Sequence, residues 1–371
     1  MRLLKFGIIG LILIALAIAG FFYWVTRSVN SPNTHTKANE YIRIERGSTP
    51  AQIVAQLAAS GIVANEMAAN IYLRTLGDAT KLQAGEFQFP SPISTVEVFR
   101  LLEKGEERTV RITIPEGFTR FDIATRIAEF GQTESTLPEG VLVKPGEIPG
   151  RREVLTLMDD TSLIRDIAPE AKNLEGYMYP TTYSFPRETQ PKEIIKTMVN
   201  QFRRFWKPEW QDTAKRLGRT PHEIVTIASL IETETSVESE RPVVASVINN
   251  RLNRGMRLGI DQTNVYIAKM MGRWDGTLHQ SDLDVDNPYN TRTKYGLPPG
   301  PISSVTESSI SAALAPADTD FLFYVRNVDL NDGSHWFYAS AAEFEKGKAK
   351  YQEWLERERD QMRNQPKPVN P

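Results

Sequence analysis

The sequence predicts an α+β protein built as an N-terminal transmembrane helix, a small α+β unit and a larger mixed α/β domain. Three observations predict this. An uncharged apolar run extends from Phe6 to Thr26, long enough to cross a bilayer as a helix. From Tyr41 and again from Arg108, short segments of period-2 alternation are followed by segments of period 3.6. The chain has 371 residues, enough for two domains with their own cores.

Taken in order, residues 1–5 carry Arg2 and Lys5 and the span covers 6–26, with Tyr23 and Trp24 as interfacial aromatics at its far end. The positive-inside rule then places the N-terminus in the cytoplasm and everything after Arg27 outside it. Ala17-Ile18-Ala19 resembles a signal-peptidase site, but the apolar run continues through Val25, which favours an uncleaved anchor. Residues 27–40, rich in Ser, Asn, Thr and Pro, read as a linker. The small unit covers 41–107: a strand at Tyr41–Ile44, a helix with Pro50 at its first position and Gly61 as its stop, a second helix in "ANEMAANIYLRTLG", a strand in "AGEFQF" and a helix in "STVEVFRLLEKG".

The larger domain covers 108–352. It opens with a strand from Arg108 to Ile114 and an amphipathic helix from Arg120 to Phe130; residues 131–150, rich in Pro and Gly, read as a surface excursion. "LEGYMYPTTYSF", Leu174 to Phe185, holds three tyrosines suited either to a sugar surface or to buried packing. "FLFYVR" and "HWFYAS" flank Asn331-Asp332-Gly333 as a hairpin, and Ala341 to Arg363 is a highly charged helix. Residues 353–371 comprise the end of that helix and a polar tail expected to be disordered.

Composition removes several function classes. Forty-four basic against 46 acidic residues give a net charge of -2, so no broad basic surface awaits a nucleic acid. Cysteine is absent, which excludes disulfides, thiol catalysis and zinc-thiolate sites. The four histidines have no spacing that suggests a shared metal, and no cofactor motif is present. "DLDVDN" imitates the start of a calcium loop, but Asn287 and Thr293 stand where glycine and glutamate are required.

The most unusual stretch is "ASLIETETSVESERPVV", with four glutamates in nine positions. Thr220-Pro221-His222-Glu223 specifies a helix start, and the apolar residues that follow require burial. At 100° per residue Glu232 lies on the face of Val225, Ala228 and Ser229, whose small side chains leave room for a ligand, while Glu234 lies about 200° away beside Ile227, Leu230 and Ile231. A carboxyl at the end of a buried helix is desolvated, which raises its pKa and suits it to general-acid work. Periodicity leaves Glu232 and Glu234 both open as that acid. Glu238 and Glu240 precede Pro242 at the start of a second apolar helix, where acidic residues are stabilising.

"IASLIETETSVESERPVVASVINNRLNRGMRL" resembles the signature of the YceG-like endolytic murein transglycosylases, and the likeness extends to "TIPEG", "LEGYMYPTTY", "NPYNT" and "GLPPGPI", in order from Tyr41 to Tyr351. Departures include Gly259 to Thr263, where members read "QTDPT", and Phe344, where a histidine is common. The resemblance implies a LysM-like subdomain within 41–107 and a YceG-like catalytic domain in 108–352. It also implies an enzyme anchored in the inner or plasma membrane that cleaves MurNAc-GlcNAc bonds within peptidoglycan strands, leaves 1,6-anhydroMurNAc ends and terminates nascent glycan elongation beside cell-wall synthases. Glu232 is implied as the catalytic residue. Glu240, Arg251, Asp261, Tyr289 and Asn290 are the candidate substrate contacts, with no metal and no cofactor. The alternative is a non-catalytic, membrane-tethered scaffold that binds cell wall and recruits synthesis proteins.

Overall fold

The computed structural model describes residues 2–45, 47–105, 109–130, 148–187 and 189–364. The chain divides into two compact units, Met1–Val110 and Arg111–Pro371. The expected excursion over 131–150 falls, up to residue 147, outside the described residues, as does the tail from residue 365.

The first unit contains helices α1 (Arg2–Asn30), α2 (Pro50–Ala59), α3 (Glu66–Thr75) and α4 (Thr95–Lys104), with strands β1 (Tyr41–Ile44) and β2 (Gly85–Gln88). Over Ile8–Asn30, α1 is long and apolar enough to cross a membrane. Its last turns behave differently: Val25 and Val29, four residues apart on one face, are buried, and Val29 packs with Ala68 of α3 and Val96 of α4. The stretch expected to be a linker is therefore helical to Asn30 and then laced to its own unit. Asn33 pairs backbone to backbone with Ile93, and His35 donates its N–H to Ser91 Oγ at 2.9 Å. β1 and β2 pair antiparallel, Tyr41 opposite Gln88, over a core of Ile44, Val54, Leu57, Phe87, Phe99 and Leu102. Capping boxes at Thr49/Gln52 and Ser94/Glu97 fix where α2 and α4 begin.

β3 (Thr109–Thr113), which enters the second unit at Arg111, pairs with β4 (Thr182–Pro186) in one two-stranded sheet, and β5 (Phe323–Arg326) and β6 (His335–Tyr338) form another. The helices are α5 (Arg120–Glu129), α6 (Arg151–Leu157), α7 (Pro191–Phe205), α8 (Pro208–Arg216), α9 (Pro221–Glu234), α10 (Arg241–Asn253), α11 (Gln262–Met270), α12 (Gln280–Leu283), α13 (Glu307–Leu314) and α14 (Ala341–Asn364). As expected of a mixed α/β domain, this unit combines helices with sheets, the sheets being short and two-stranded. At its centre lies α9. Ile224 through Ile231 are all at most 1% exposed, and α8, α10, α11 and α13 pack around them.

The face of α9 bearing Val225, Ala228 and Ser229 does not open onto a ligand site. The chain's own segment 301–306 fills it: Ile302 N–H donates to Ser229 Oγ at 3.0 Å and Ser303 Oγ donates to Ser229 O at 3.2 Å. Of the three tyrosines in 174–185, Tyr177 and Tyr183 are buried, and Tyr179 is half-buried and stacked on Phe205 at 4.1 Å. Gly176 adopts φ +83°, and a Cβ there would lie 2.7 Å from Pro301 and 2.9 Å from Val225. Left-handed strain and overpacking act together, so Gly176→Ala is expected to destabilise the protein by about 2–4 kcal/mol, read as a lower thermal midpoint.

Candidate active site

The two glutamates at the end of α9 face opposite ways, and their surroundings differ in kind. Glu232 has a side chain only 1% exposed. Arg241 Nη2 donates to its Oε1 at 3.0 Å, while Thr306 donates both its backbone N–H (2.9 Å) and its hydroxyl (2.8 Å) to Oε2. Arg241 also reaches Thr306 Oγ1 at 2.7 Å and lies 3.7 Å from the exposed Glu116 of "TIPEG". Every partner of Glu232, the residue the resemblance implies as catalytic, is a donor, and both of its oxygens accept. This is a buried ion pair with its lone pairs satisfied, and its removal would leave Arg241 uncompensated.

Glu234 is set otherwise. Its pKa is raised, first by burial and then by the negative charge of Asp261, against opposing pulls from Tyr324, His335 and Arg251. Tyr324, whose own pKa is held well above 10 by burial, donates its hydroxyl to Oε2. Among the described residues none hydrogen-bonds Oε1. A carboxyl with a raised pKa, one neutral donor and one uncommitted oxygen is equipped to give a proton and take it back.

Three of the expected substrate contacts gather about Glu234. Arg251 lies over the Phe323 ring and donates Nε to Leu322 O at 2.6 Å and Nη1 to Leu258 O, so it braces the approach to the hairpin. Asp261, half exposed, pairs with Arg292. Glu240 accepts from the His335 backbone N–H at 2.7 Å, contacts His335 Nδ1 at 2.8 Å and accepts from Thr235 Oγ1 at 3.1 Å. The other two serve the chain itself. Tyr289 packs on Tyr266 at 4.9 Å, with burial pushing its hydroxyl up to about 12, and the fully buried Asn290 donates to Leu283 O and Val285 O.

Tyr324 and His335 were missed at the sequence level. In the β5–β6 register Tyr324 opposes Phe337 and Arg326 opposes His335, so Tyr324 and His335 are diagonal neighbours, edge to face at 5.5 Å. The signal was present: polar-tipped aromatics on one face of a predicted hairpin, opposite an acidic helix end.

The YceG-like family pattern matches residues 42–350. The chain belongs to the YceG-like family. It is 29% identical over 352 residues to the endolytic murein transglycosylase of Bacillus subtilis, covering 91% of each chain. It is 28% identical over 344 residues to that of Streptococcus pneumoniae, a longer protein of which 60% is spanned. A crystal structure of a YceG-like protein from Listeria monocytogenes matches with a TM-score of 0.52 and 29% identity, covering 82% of this chain and 98% of that one.

This YceG-like chain holds a further buried carboxyl, Glu175 of "LEGYMYPTTY". Only 1% exposed, it receives the Arg120 backbone N–H on both oxygens, at 3.0 and 2.9 Å, and so caps the start of α5. Desolvation outweighs that bond and raises its pKa from 4.5 to about 8. Above pH 4.5 the unfolded chain releases this proton while the folded chain keeps it. The contribution to stability is therefore complete below pH 4.5 and is lost as pH rises towards 8. In Glu175→Gln that loss, on the order of a few kcal/mol, should vanish: the wild type melts at falling temperature from pH 5 to 8, whereas the variant shows a flatter profile.

Proposed function

We propose that this protein is a membrane-anchored endolytic lytic transglycosylase of peptidoglycan, with Glu234 as its proton-transfer group. The observation that carries this reading is the pairing of a desolvated carboxyl, Glu234, with a single hydroxyl donor, Tyr324, in a chain whose relatives bear the name endolytic murein transglycosylase. As acid, Glu234 protonates the glycosidic oxygen between MurNAc and GlcNAc while the C1–O bond breaks. As carboxylate it then accepts the proton of the sugar's own 6-hydroxyl, whose oxygen bonds to C1 and leaves a 1,6-anhydro end. No water is consumed and one carboxyl serves twice. Tyr324 stays protonated throughout and stabilises the carboxylate at the midpoint. Arg251 and the Glu240–His335 pair hold the hairpin that delivers it, and Asp261 favours the protonated form at rest.

The apolar α1 supports a single-pass anchor, and Arg2 and Lys5 ahead of it favour a cytoplasmic N-terminus. The small α+β unit beside the membrane is where the resemblance puts a LysM-like, glycan-gripping subdomain. An internal cutter tethered at the membrane surface would release strands as they are made, ending their elongation near the synthases.

Incubation of the purified protein with glycan strands, followed by mass spectrometry, should yield internal cuts with 1,6-anhydroMurNAc ends. Glu234→Gln is expected to lower the rate by about 10²–10⁴-fold with folding retained. Glu232→Gln should instead lose about 3–5 kcal/mol of stability by breaking the buried ion pair. A folded, inactive Glu232→Gln beside an active Glu234→Gln would move the chemistry to Glu232. Reducing ends would indicate a hydrolase, and uncut glycan a binding scaffold.

A further inference from the structure

A cavity of about 300 Å³ lies beside the first half of α9, bounded by α10 and by the chain that follows α13. Leu217, Ile224, Ile227, Ala313 and Pro316 give it an apolar floor, and its walls carry Arg219, Asn249, Asn253 and Asp318. Ser246 and Asn250, which also line it, are committed: Ser246 Oγ bonds Thr319 Oγ1 at 2.6 Å, and Asn250 donates to Thr319 O and Phe321 O. The carboxamides of Asn249 and Asn253 have no hydrogen-bond partner among the described residues. Among the described residues the Arg219 side chain is held only by a long 3.4 Å contact to Glu223.

Asn249 and Asn253, four apart on α10, present two carboxamides along one line. Each offers a donor and an acceptor, the complement of a secondary amide. Arg219 supplies a fork for a carboxylate, Asp318 a counter-charge for an amine, and the floor a seat for methyl groups. Among the described residues no aromatic ring lines the cavity, which disfavours a sugar. We propose that this cavity binds a short peptide ending in a carboxylate, of the kind that branches from peptidoglycan glycan strands; the inference rests on peptidoglycan being the substrate. Ile227 precedes Glu234 by seven residues, about 10 Å along the helix axis. Thr319 precedes Tyr324 by five, at most about 18 Å. A peptide held here thus lies close enough to position the strand that bears it at Glu234.

The test uses the full-length protein in detergent, titrated with the synthetic tetrapeptide L-Ala-γ-D-Glu-L-Lys-D-Ala by calorimetry. The wild type and Glu234→Gln should bind alike, which separates this site from the chemistry. Asn249→Ala/Asn253→Ala and Arg219→Ala should each weaken binding by about tenfold or more, the worth of hydrogen bonds to amide and charged groups. Arg219→Lys and Asn253→Ser, smaller exchanges on the cavity wall, replace them if either melts early. In a parallel assay the wild type should cut peptide-bearing strands faster than strands stripped by an amidase, and the Asn variants should cut both at the slower rate. Absence of peptide binding by the wild type, or binding indifferent to all four variants, overturns the peptide site and leaves glycan cleavage standing. Cavity-dependent peptide binding without any glycan cleavage upholds the site and sinks the catalytic reading instead.

Discussion

The second unit depends on burying α9 on every side. A helix apolar all round cannot rest on a surface, so α8, α10, α11, α13 and the 301–306 segment must enclose it. Its acidic residues collect at its ends: Glu223, with Thr220, satisfies the first turn, and Glu232 and Glu234 emerge in the last. The unit is thus organised around a hydrophobic rod that delivers two carboxyls, about 200° apart, into two environments.

What separates the two carboxyls is the polarity of their partners. Both are buried, and burying a polar group is costly unless partners answer it. At Glu232 a guanidinium, a backbone N–H and a hydroxyl answer it in full. At Glu234 a single phenol does so, and the charge of Asp261 pushes the same way as burial. Two consecutive residues at the start of the next helix, its N-cap Glu240 and its first residue Arg241, make this division. Glu240 turns to His335 and the Glu234 side, and Arg241 turns to Glu232. One segment, "SERP", thereby builds a buried ion pair with Glu232 on one face and supports the Glu234 side on the other.

Much of this was legible because it is local. The capping box at Thr220, the almost wholly apolar run after it, the hairpin signalled by Asn331-Asp332-Gly333 and the charged α14 are written in neighbouring residues. The angular separation of Glu232 and Glu234 was legible too. What each faces was not, because the deciding partners lie far away in the chain: Thr306 is 74 residues from Glu232 and Tyr324 is 90 from Glu234. The small residues at 225, 228 and 229 read as room for a ligand, since sequence does not reveal that Ile302 and Ser303 occupy that room. Asn290 looked like a sugar contact for the same reason: its carbonyl partners come from a loop whose path is tertiary.

The hairpin's position follows from two adjacent side chains of α10. Asn250 holds the carbonyls of Thr319 and Phe321, and Arg251 holds that of Leu322, so three of four consecutive carbonyls leading into β5 are bound to one helical turn. These bonds leave that chain little freedom, and Tyr324 begins only two residues later. A phenol on a free hairpin would lose entropy each time it met Glu234; here that ordering occurs on folding. The Glu240 carboxylate pins the opposite strand through His335, so both strands are fixed from the same α9–α10 corner that supplies Glu234. Glu234 and its donor are therefore parts of one rigid element, which allows a single hydroxyl to hold Glu234 in place while its other oxygen has no hydrogen-bond partner among the described residues.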